Sequence, residues 1–244
     1  MKAVILSGGE GTRGKPFTNY FPKAMIPING KPLIDYIVNY LSGFDLIDEI
    51  IILADYKKLG GQIKNYFEGR KMTKNLTFVQ DSQSGTGGDL IHVSRKLKGD
   101  SDFILWFVDN FCAIDLQRMY SFYRKKNSLG CIAVRRFSKS ETGFAVIKNG
   151  FITEFQEKPM IKMHIPECLG VYILATEILS KIRSKLKKKK RNLNLSFDIL
   201  EELSLKNKLS GFDIGKTSWM DIESPITLQR NRKLIRKIIR EMNI

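Results

Sequence analysis

Directly after the apolar run Ala3-Val4-Ile5-Leu6, residues Ser7 to Met25 read SGGEGTRGKPFTNYFPKAM. Glycine lets backbone N–H groups approach an oxygen closely, and Arg13 and Lys23 add two cations that neutralise phosphate charge. The stretch therefore reads as an anion cradle for a guest with several phosphates. Within it, Gly9-Glu10-Gly11-Thr12-Arg13-Gly14 also satisfies the dinucleotide-binding pattern G-x-G-x-x-G. That pattern requires the glycines to close a strand and open a helix. Pro16, Pro22, Pro27 and Pro32 would break any helix begun at Gly11, so the glycines are expected to open a long loop. Asp55, after the apolar run Glu49 to Ala54, is the one feature that keeps a nicotinamide-linked oxidoreductase as an alternative.

Ligands of parallel α/β sheets gather beyond the carboxyl ends of strands, which directs attention to polar residues following apolar runs. These are Gly8 to Arg13, Gln80 to Gly88, Asp109-Asn110, Glu157-Lys158 and Asp221. Asp109 closes the run Phe103 to Val108, and a lone aspartate at such a point also serves as a turn or helix cap. With Asp221 it forms a pair able to hold one Mg²⁺, a hard ion that keeps several waters and takes phosphate oxygens as further ligands. Cys112, Cys131 and Cys168 are far apart and unpatterned, which excludes a disulfide framework or a C-x-x-C zinc site and favours buried thiols. His92 and His164 are the only histidines, too few for a histidine-based triad or metal centre.

The elements that must position these groups follow from hydrophobic periodicity. Apolar runs at Lys2 to Ser7, Glu49 to Ala54, Leu76 to Gln80, Phe103 to Val108, Gly130 to Arg135 and Leu169 to Leu174 read as strands. Helical periods cover Pro32 to Leu41, Leu59 to Phe67, Gly88 to Leu97 and Asp115 to Lys125. Lys148-Asn149-Gly150 between Thr142–Ile147 and Phe151–Phe155 signals a type I′ hairpin. A last helix starts at Ser224-Pro225 and carries the stripe Ile226, Leu234, Ile235, Ile238, Ile239 and Met242, expected to pack on the domain. The fold expected is α/β: a single doubly wound, mostly parallel mixed sheet with a small antiparallel β insertion. One domain spans 1–244, with 185–194 as its mobile loop.

At 244 residues, 43% of them hydrophobic, the chain can bury a sizeable core. It contains no apolar stretch of bilayer-spanning length and no signal-peptide pattern, so a cytoplasmic protein is expected. The 41 Lys+Arg against 25 Asp+Glu give a net charge of +16. Much of it lies in 185–191 and 230–240, without interleaved aromatics to stack bases. This is expected to be a solvated basic surface, or a weak association site for an anionic surface, with no specific nucleic acid partner.

Three linked blocks carry a resemblance. Gly8-Gly9-Glu10-Gly11-Thr12-Arg13-Gly14-Lys15-Pro16-Phe17-Thr18, Pro22-Lys23-Ala24-Met25 and Gly30-Lys31-Pro32 resemble the patterns G-G-x-G-T-R-L-x-P-x-T, P-K-x-M and G-K-P of sugar-phosphate nucleotidyltransferases, also called nucleotide-sugar pyrophosphorylases. Gly85-Thr86-Gly87-Gly88, Val108-Asp109-Asn110, Glu157-Lys158-Pro159 and Trp219-Met220-Asp221-Ile222 resemble further blocks of the same family, so the likeness covers nearly the whole chain. Departures are Gly14 in place of Leu, Val108 in place of Gly, and Asp89, which adds an anion near the nucleotide site.

The resemblance implies a Rossmann-like nucleotidyltransferase fold and a Mg²⁺-dependent enzyme (EC 2.7.7 class). In the implied reaction the phosphate of a sugar 1-phosphate attacks the α-phosphorus of a nucleoside triphosphate and pyrophosphate leaves. It implies that Arg13 steadies the pyrophosphate, Lys23 the α-phosphate and Lys158 the sugar phosphate, with Asp109 and Asp221 on the metal. Gly8, Gly9, Gly11, Thr12, Gln80, Gly85 and Thr86 match nucleotide-binding positions; Gly143, Glu157, Lys158 and Gly170 match sugar-phosphate positions. Ser196-Phe197-Asp198-Ile199-Leu200 resembles mannose- and heptose-1-phosphate guanylyltransferases, which favours GTP and a mannose-type sugar. Glucose 1-phosphate with UTP or dTTP is the alternative, as is a non-catalytic basic binding or regulatory relative. The partners implied are a nucleoside triphosphate and a sugar 1-phosphate, a homo-oligomer is allowed, and the left-handed β-helix domain that some relatives append is expected to be absent.

Overall fold

The computed structural model describes residues 1–9, 11–188 and 192–244, with the Arg13 side chain outside that description. Its elements run in chain order as β1 (Lys2–Leu6), β2 (Pro27–Ile28), β3 (Lys31–Pro32), α1 (Leu33–Ser42), β4 (Glu49–Ala54), α2 (Gly61–Phe67), β5 (Asn75–Gln80), α3 (Gly85–Val93), β6 (Asp102–Phe107), β7 (Asn110–Cys112), α4 (Leu116–Lys126), β8 (Gly130–Lys139), β9 (Phe144–Lys148), β10 (Phe151–Gln156), β11 (Met160–Ala175), α5 (Ile178–Lys188), α6 (Glu201–Leu205), β12 (Leu209–Asp213), β13 (Trp219–Asp221), α7 (Pro225–Arg230) and α8 (Arg232–Met242).

Strands β1, β4 and β6 are nearly continuous runs of Ile, Val, Leu and aromatics because both of their faces are covered. Ala3, Ile5, Ile50, Ile52, Ile104 and Trp106 point into one core layer, closed by α1, α2, α4 and α8. Val4, Leu6, Ile51, Leu53, Phe103 and Leu105 point into the other, closed by α3, α5 and 193–203. The period-2 alternation of one strand thus feeds two cores, and the doubly wound expectation is met.

The seven-stranded sheet has the order β12-β8-β11-β6-β1-β4-β5. β6, β1, β4 and β5 are mutually parallel, β12 is parallel to β8, and β11 alone runs against both its neighbours. The reversal follows from connectivity, since β8 and β11 are the two long arms of one hairpin interrupted by the β9–β10 pair. From β1 the chain moves outward to β4 and β5, then returns to the other side of β1 as β6. That reversal of direction opens a crevice beyond the ends of β1 and β6.

Several sequence expectations need correction. The last helix is two helices, broken at Asn231, whose side chain returns to the Thr227 carbonyl at 3.0 Å. Ile235, Ile238 and Met242 of α8 are buried as expected, whereas Ile226 on α7 is exposed. Cys112 and Cys131 are buried, but Cys168 is exposed, because it lies on the part of β11 that pairs only with β8, before the strand also gains β6 at Val171. Gly85 to Gly88 form the first turn of α3, not a loop preceding it. Lys185 to Lys188 belong to α5, which removes them from the expected mobile loop; 189–191 lie outside the described residues. Among the described residues, no helix is long and apolar enough to cross a membrane.

Candidate functional site

The cradle starts where β1 ends. Ser7 N donates to the Leu53 carbonyl at 2.8 Å and Val108 N to the Leu6 carbonyl at 3.1 Å, so the neighbouring strands fix the chain's exit. Gly11 then adopts a left-handed conformation (φ 60°), and its carbonyl accepts the Thr18 hydroxyl at 2.7 Å. The segment to Met25 consists of short 3₁₀ turns, Thr12–Gly14, Phe17–Asn19 and Lys23–Met25, separated by the prolines. A side chain at Gly11 or Gly14 would strike the Thr18 methyl, which gives Gly14 a packing reason.

The last of these turns delivers Lys23 to Asp109: Nζ lies 3.0 Å from Oδ2, with the lysine side chain 12% exposed and the aspartate 27%. The other oxygen of Asp109 accepts Asn110 Nδ2 at 2.9 Å. Asn110 is buried, and its Oδ1 accepts the Gly170 amide at 2.8 Å and the Trp219 indole N–H at 2.9 Å. A side chain at Gly170 would collide with that carboxamide. The Arg135 guanidinium covers the Trp219 ring at 4.3 Å.

Trp219 and Asp221 reach this point through the β7–β13 pair, in which Asp221 stands opposite Asn110. Ile222 N donates to the Asp109 carbonyl at 2.8 Å. Residues directly opposite in an antiparallel pair send their side chains to the same face. Asp221 therefore leaves on the face of Asn110, beside the group that holds Asp109.

A cleft of about 760 Å³ opens over these strand ends, and Gly8, Gly9, Gly11, Thr12, Lys23, Gly85, Thr86 and Asp109 line it. Of the remaining candidates, Gln80 turns from the lining to donate to Asp55 at 2.9 Å, while Gln83 takes a place on the wall. Gly170 and Asp221 flank the Asp109 corner. Gly143, Glu157 and Lys158 lie on the exposed hairpin, where Gly143 faces the Phe155 ring and the Glu157 carboxylate, and Lys158 holds a positive φ of 47°. The backbone of Arg13 forms part of the first turn.

Sequence reasoning gave Asp55 only to the nicotinamide alternative, held Asp81 unsingled within Gln80 to Gly88 and did not name Lys58, and all three line the cleft. The signal was available, because Asp55 and Asp81 immediately follow β4 and β5. Asp55 accepts the Gln80 and Gln83 amides and meets Lys58 at 3.5 Å; the Gln80 bond foremost, then those of Gln83 and Lys58, hold its carboxyl below the ordinary range. Asp89 accepts Ser82 N at 3.0 Å and Ser82 Oγ at 2.6 Å, yet burial, assisted by the negative charge of Asp81, pushes it up to about 6. The Gly85-Thr86 turn is braced from behind: Gly87 N donates to the Leu193 carbonyl at 2.8 Å and Leu195 N to Thr86 Oγ1 at 2.9 Å. This brace leads into Ser196–Leu200, a turn of π-helix with Ile199 and Leu200 buried.

This cleft, beyond the carboxyl ends of four parallel strands at the point where strand order reverses, defines an α/β nucleotide-binding architecture. Residues 2–235 match the Nucleotidyl transferase family model, and the chain belongs to that family. It is 29% identical over 232 residues to a mannose-1-phosphate guanyltransferase of Yarrowia lipolytica, an alignment covering 92% of this chain and 61% of that protein. It is 29% identical over 204 residues to a UTP–glucose-1-phosphate uridylyltransferase of Synechocystis, covering 75% and 51%. The chain thus spans between half and two thirds of the length of these relatives. Among solved structures, HddC from Yersinia pseudotuberculosis superposes with a TM-score of 0.67 at 23% identity, covering 97% of this chain and 98% of that one, a likeness of fold.

Two outcomes follow from this geometry. Asn110→Ala strips a buried acceptor from two donors and is expected to lower unfolding stability by about 2–5 kcal/mol, read by urea denaturation; a loss under about 1 kcal/mol would remove Asn110 from its organising role. Asp89 ionises near its ordinary value when unfolded but only near 6 when folded, so the fold carries a penalty that is absent at low pH, grows as pH rises through this window and is complete above it. Asp89→Asn removes that penalty, and its stability gain over the parent is expected to grow from pH 4 to pH 7, reaching at most about 3 kcal/mol. Melting curves with a gap that does not change with pH would contradict this.

Proposed function

We propose that this chain transfers a nucleotidyl group from a nucleoside triphosphate to a sugar 1-phosphate, releasing pyrophosphate. The observation that carries the reading is the corner at the end of the glycine-rich cradle, where Lys23 pairs with Asp109 and strand β13 brings Asp221 opposite the neighbouring Asn110. A phosphate nucleophile is already ionised, so the reaction needs no histidine base. What it needs is alignment of nucleophile and α-phosphorus, and compensation of crowded negative oxygens. In this reading the amides around Gly8, Gly9, Gly11 and Thr12 receive the triphosphate, with Arg13 on the departing pyrophosphate. Lys23, held in position by Asp109, is placed to meet charge growing on the α-phosphate. Gln80 acts on the base side through Asp55 and Gln83, and Gly85 and Thr86 form the wall beside the base. Gly143, Glu157, Lys158 and Gly170 supply the sugar-phosphate side.

The donor set at the corner fits a hard divalent cation. Asp109 and Asp221 offer carboxylate oxygens from adjacent backbones. Mg²⁺ suits this pair, since it retains waters and accepts phosphate oxygens; when bound, it would supply charge neutralisation at the phosphates. GTP and a mannose-type sugar are the preferred substrates, supported by the Ser196–Leu200 segment that braces the Gly85-Thr86 wall and by the similarity to mannose-1-phosphate guanyltransferases. The Synechocystis relative supports glucose 1-phosphate with UTP as the second reading.

A panel of nucleoside triphosphates against sugar 1-phosphates, with Mg²⁺ and pyrophosphate detection, is expected to give turnover with one pair strongly preferred. Lys23→Met and Asp109→Asn are each expected to lower kcat/KM about 100-fold or more. No pyrophosphate from any pair, with the protein folded, would defeat the proposal.

The exposed hairpin supports self-association as part of the same reading. Phe144, Ile147, Phe151, Ile152 and Phe155 are at least half exposed on a two-stranded sheet, a unit marginal by itself in water. Residues 137–167 carry four lysines and four glutamates, zero net charge in a chain of +16, so a second copy meets no like-charge repulsion there. Light scattering after size exclusion is expected to give a dimer, reduced to a monomer by Phe151→Lys with Ile152→Lys. A monomeric parent chain would rule the dimer out.

A further inference from the structure

Helix α8 carries a charge pattern that the nucleotide cleft does not use. Ile235, Ile238 and Met242 anchor one side of it in the core. Arg232, Lys233, Arg236, Lys237 and Arg240 are all exposed, recurring at four-residue intervals along the outer side. Eight residues of helix make this stripe about 12 Å long. Arg232–Arg236, Lys233–Lys237 and Arg236–Arg240 are like-charge pairs at i,i+4, a spacing at which opposite charges support a helix and equal charges weaken it. The one acid of the helix, Glu241, is turned to Ser218, accepting its N–H at 2.8 Å and its hydroxyl at 2.9 Å, with Lys237 3.5 Å away. The stripe is therefore a cationic row whose internal repulsion an external anion would relieve.

We propose that the outer face of α8 docks this protein on an anionic lipid surface. Complementarity of charge selects an anionic partner, and the surroundings favour lipid over nucleic acid. The helix holds no aromatic residue to stack a base, and single-strand binders rely on such platforms. Exposed Ile226 on α7, the helix directly before α8, adds an apolar side chain that a headgroup boundary accepts and a phosphodiester backbone leaves in water. Because the apolar side of α8 belongs to the core, docking is electrostatic, reversible and made by the folded protein. The cations of α5 do not extend this surface: α5 closes the opposite core layer, and its Lys185 is already tied to Glu202 and the Asp198 carbonyl.

Co-sedimentation of the full chain with phosphatidylcholine vesicles, with and without phosphatidylglycerol, tests the proposal. Binding is expected only to the anionic vesicles and is expected to vanish at high salt. A basic residue near such a surface contributes about a five-fold factor, so the triple variant Arg232→Gln, Arg236→Gln, Arg240→Gln is expected to bind about 100-fold more weakly. The matched variant Lys181→Gln, Arg183→Gln, Lys187→Gln on α5 is expected to bind like the parent chain, and both variants are expected to keep the parent's circular dichroism, the α8 variant melting no lower than the parent because its like-charge pairs are gone. Three results would each overturn the assignment: no sedimentation with anionic vesicles, equal weakening by both triple variants, or displacement from vesicles by single-stranded RNA at equal phosphate concentration.

Discussion

The carboxamide of Asn110 is the point on which the arrangement of the cleft depends. Its nitrogen donates to Asp109, and its oxygen receives one N–H from β11 and one from the indole of Trp219. A second indole closes the residue from within the core, where Trp106 Nε1 donates to the Asn110 main-chain carbonyl at 2.9 Å. Three stretches far apart in sequence, 106–110, Gly170 and Trp219, thus meet at one buried residue. Asparagine is suited to this position in a way that aspartate is not, since only the amide offers a donor to one carboxylate and an acceptor to two N–H groups together. The three-residue strands β7 and β13 would pair weakly alone; the Asn110 group sets their register and with it the approach of Asp221 to Asp109.

Around this group the sheet and the prolines divide the work. The parallel strands β6, β1, β4 and β5 end at one level, each followed by a polar segment, so Asp109, Ser7, Asp55 and Asp81 emerge along one edge. The prolines then prevent the cradle from continuing as a helix, and three short turns bend it so that Lys23 returns to the edge it left at Ser7. A helix begun at Gly11 would have carried Lys23 away along its axis. The letter match to the dinucleotide pattern therefore misleads for a definite reason: the same glycine freedom serves a turn at Gly11 that leads into irregular backbone.

The features legible in the sequence were those written in local chemistry. Ile- and Val-rich runs marked β1, β4 and β6 to within a residue, since burial on both faces leaves no room for polar interruption, whereas β8 runs on to Lys139 and β11 starts back at Met160, beyond their apolar runs. Asn149-Gly150 marked its turn, and Ser224-Pro225 marked a helix start whose cap the Ser224 hydroxyl makes to Thr227 N. What escaped depended on remote partners. Nothing local at Asn231 announces a break in the last helix, and Ile226 fits the apolar stripe by spacing while pointing to solvent. Asp221 was named as a polar residue after Trp219-Met220 and matched a family block, yet the strand that carries them is too short to have a period. Cys168 sits in a strand whose outer half leaves the core, a change of environment that the residues themselves do not encode. Gln80 was named as a nucleotide-binding position, and the structure gives it the task of orienting Asp55 beside Gln83.

Charge presents the last question, because a chain of +16 lines its cleft with Asp55, Asp81, Asp89 and Asp109. Left uncompensated, these carboxylates would oppose a polyphosphate. Each is matched at close range instead. Asp55 is satisfied by two amides and Lys58, Asp89 by the amide and hydroxyl of Ser82, and Asp109 by Lys23 and Asn110, while Asp81 Oδ1 accepts Gln83 N at 2.6 Å. The acids therefore act as fasteners of the wall: Lys58 and Lys23 offset the charge of Asp55 and Asp109, while burial and the nearby Asp81 shift Asp89 toward its neutral form. The unbalanced lysines and arginines elsewhere keep a long-range positive potential that draws anions toward the molecule. Attraction from a distance and reception at the cleft are thus assigned to different residues, which lets the wall be held rigid by carboxylates without repelling an anionic guest.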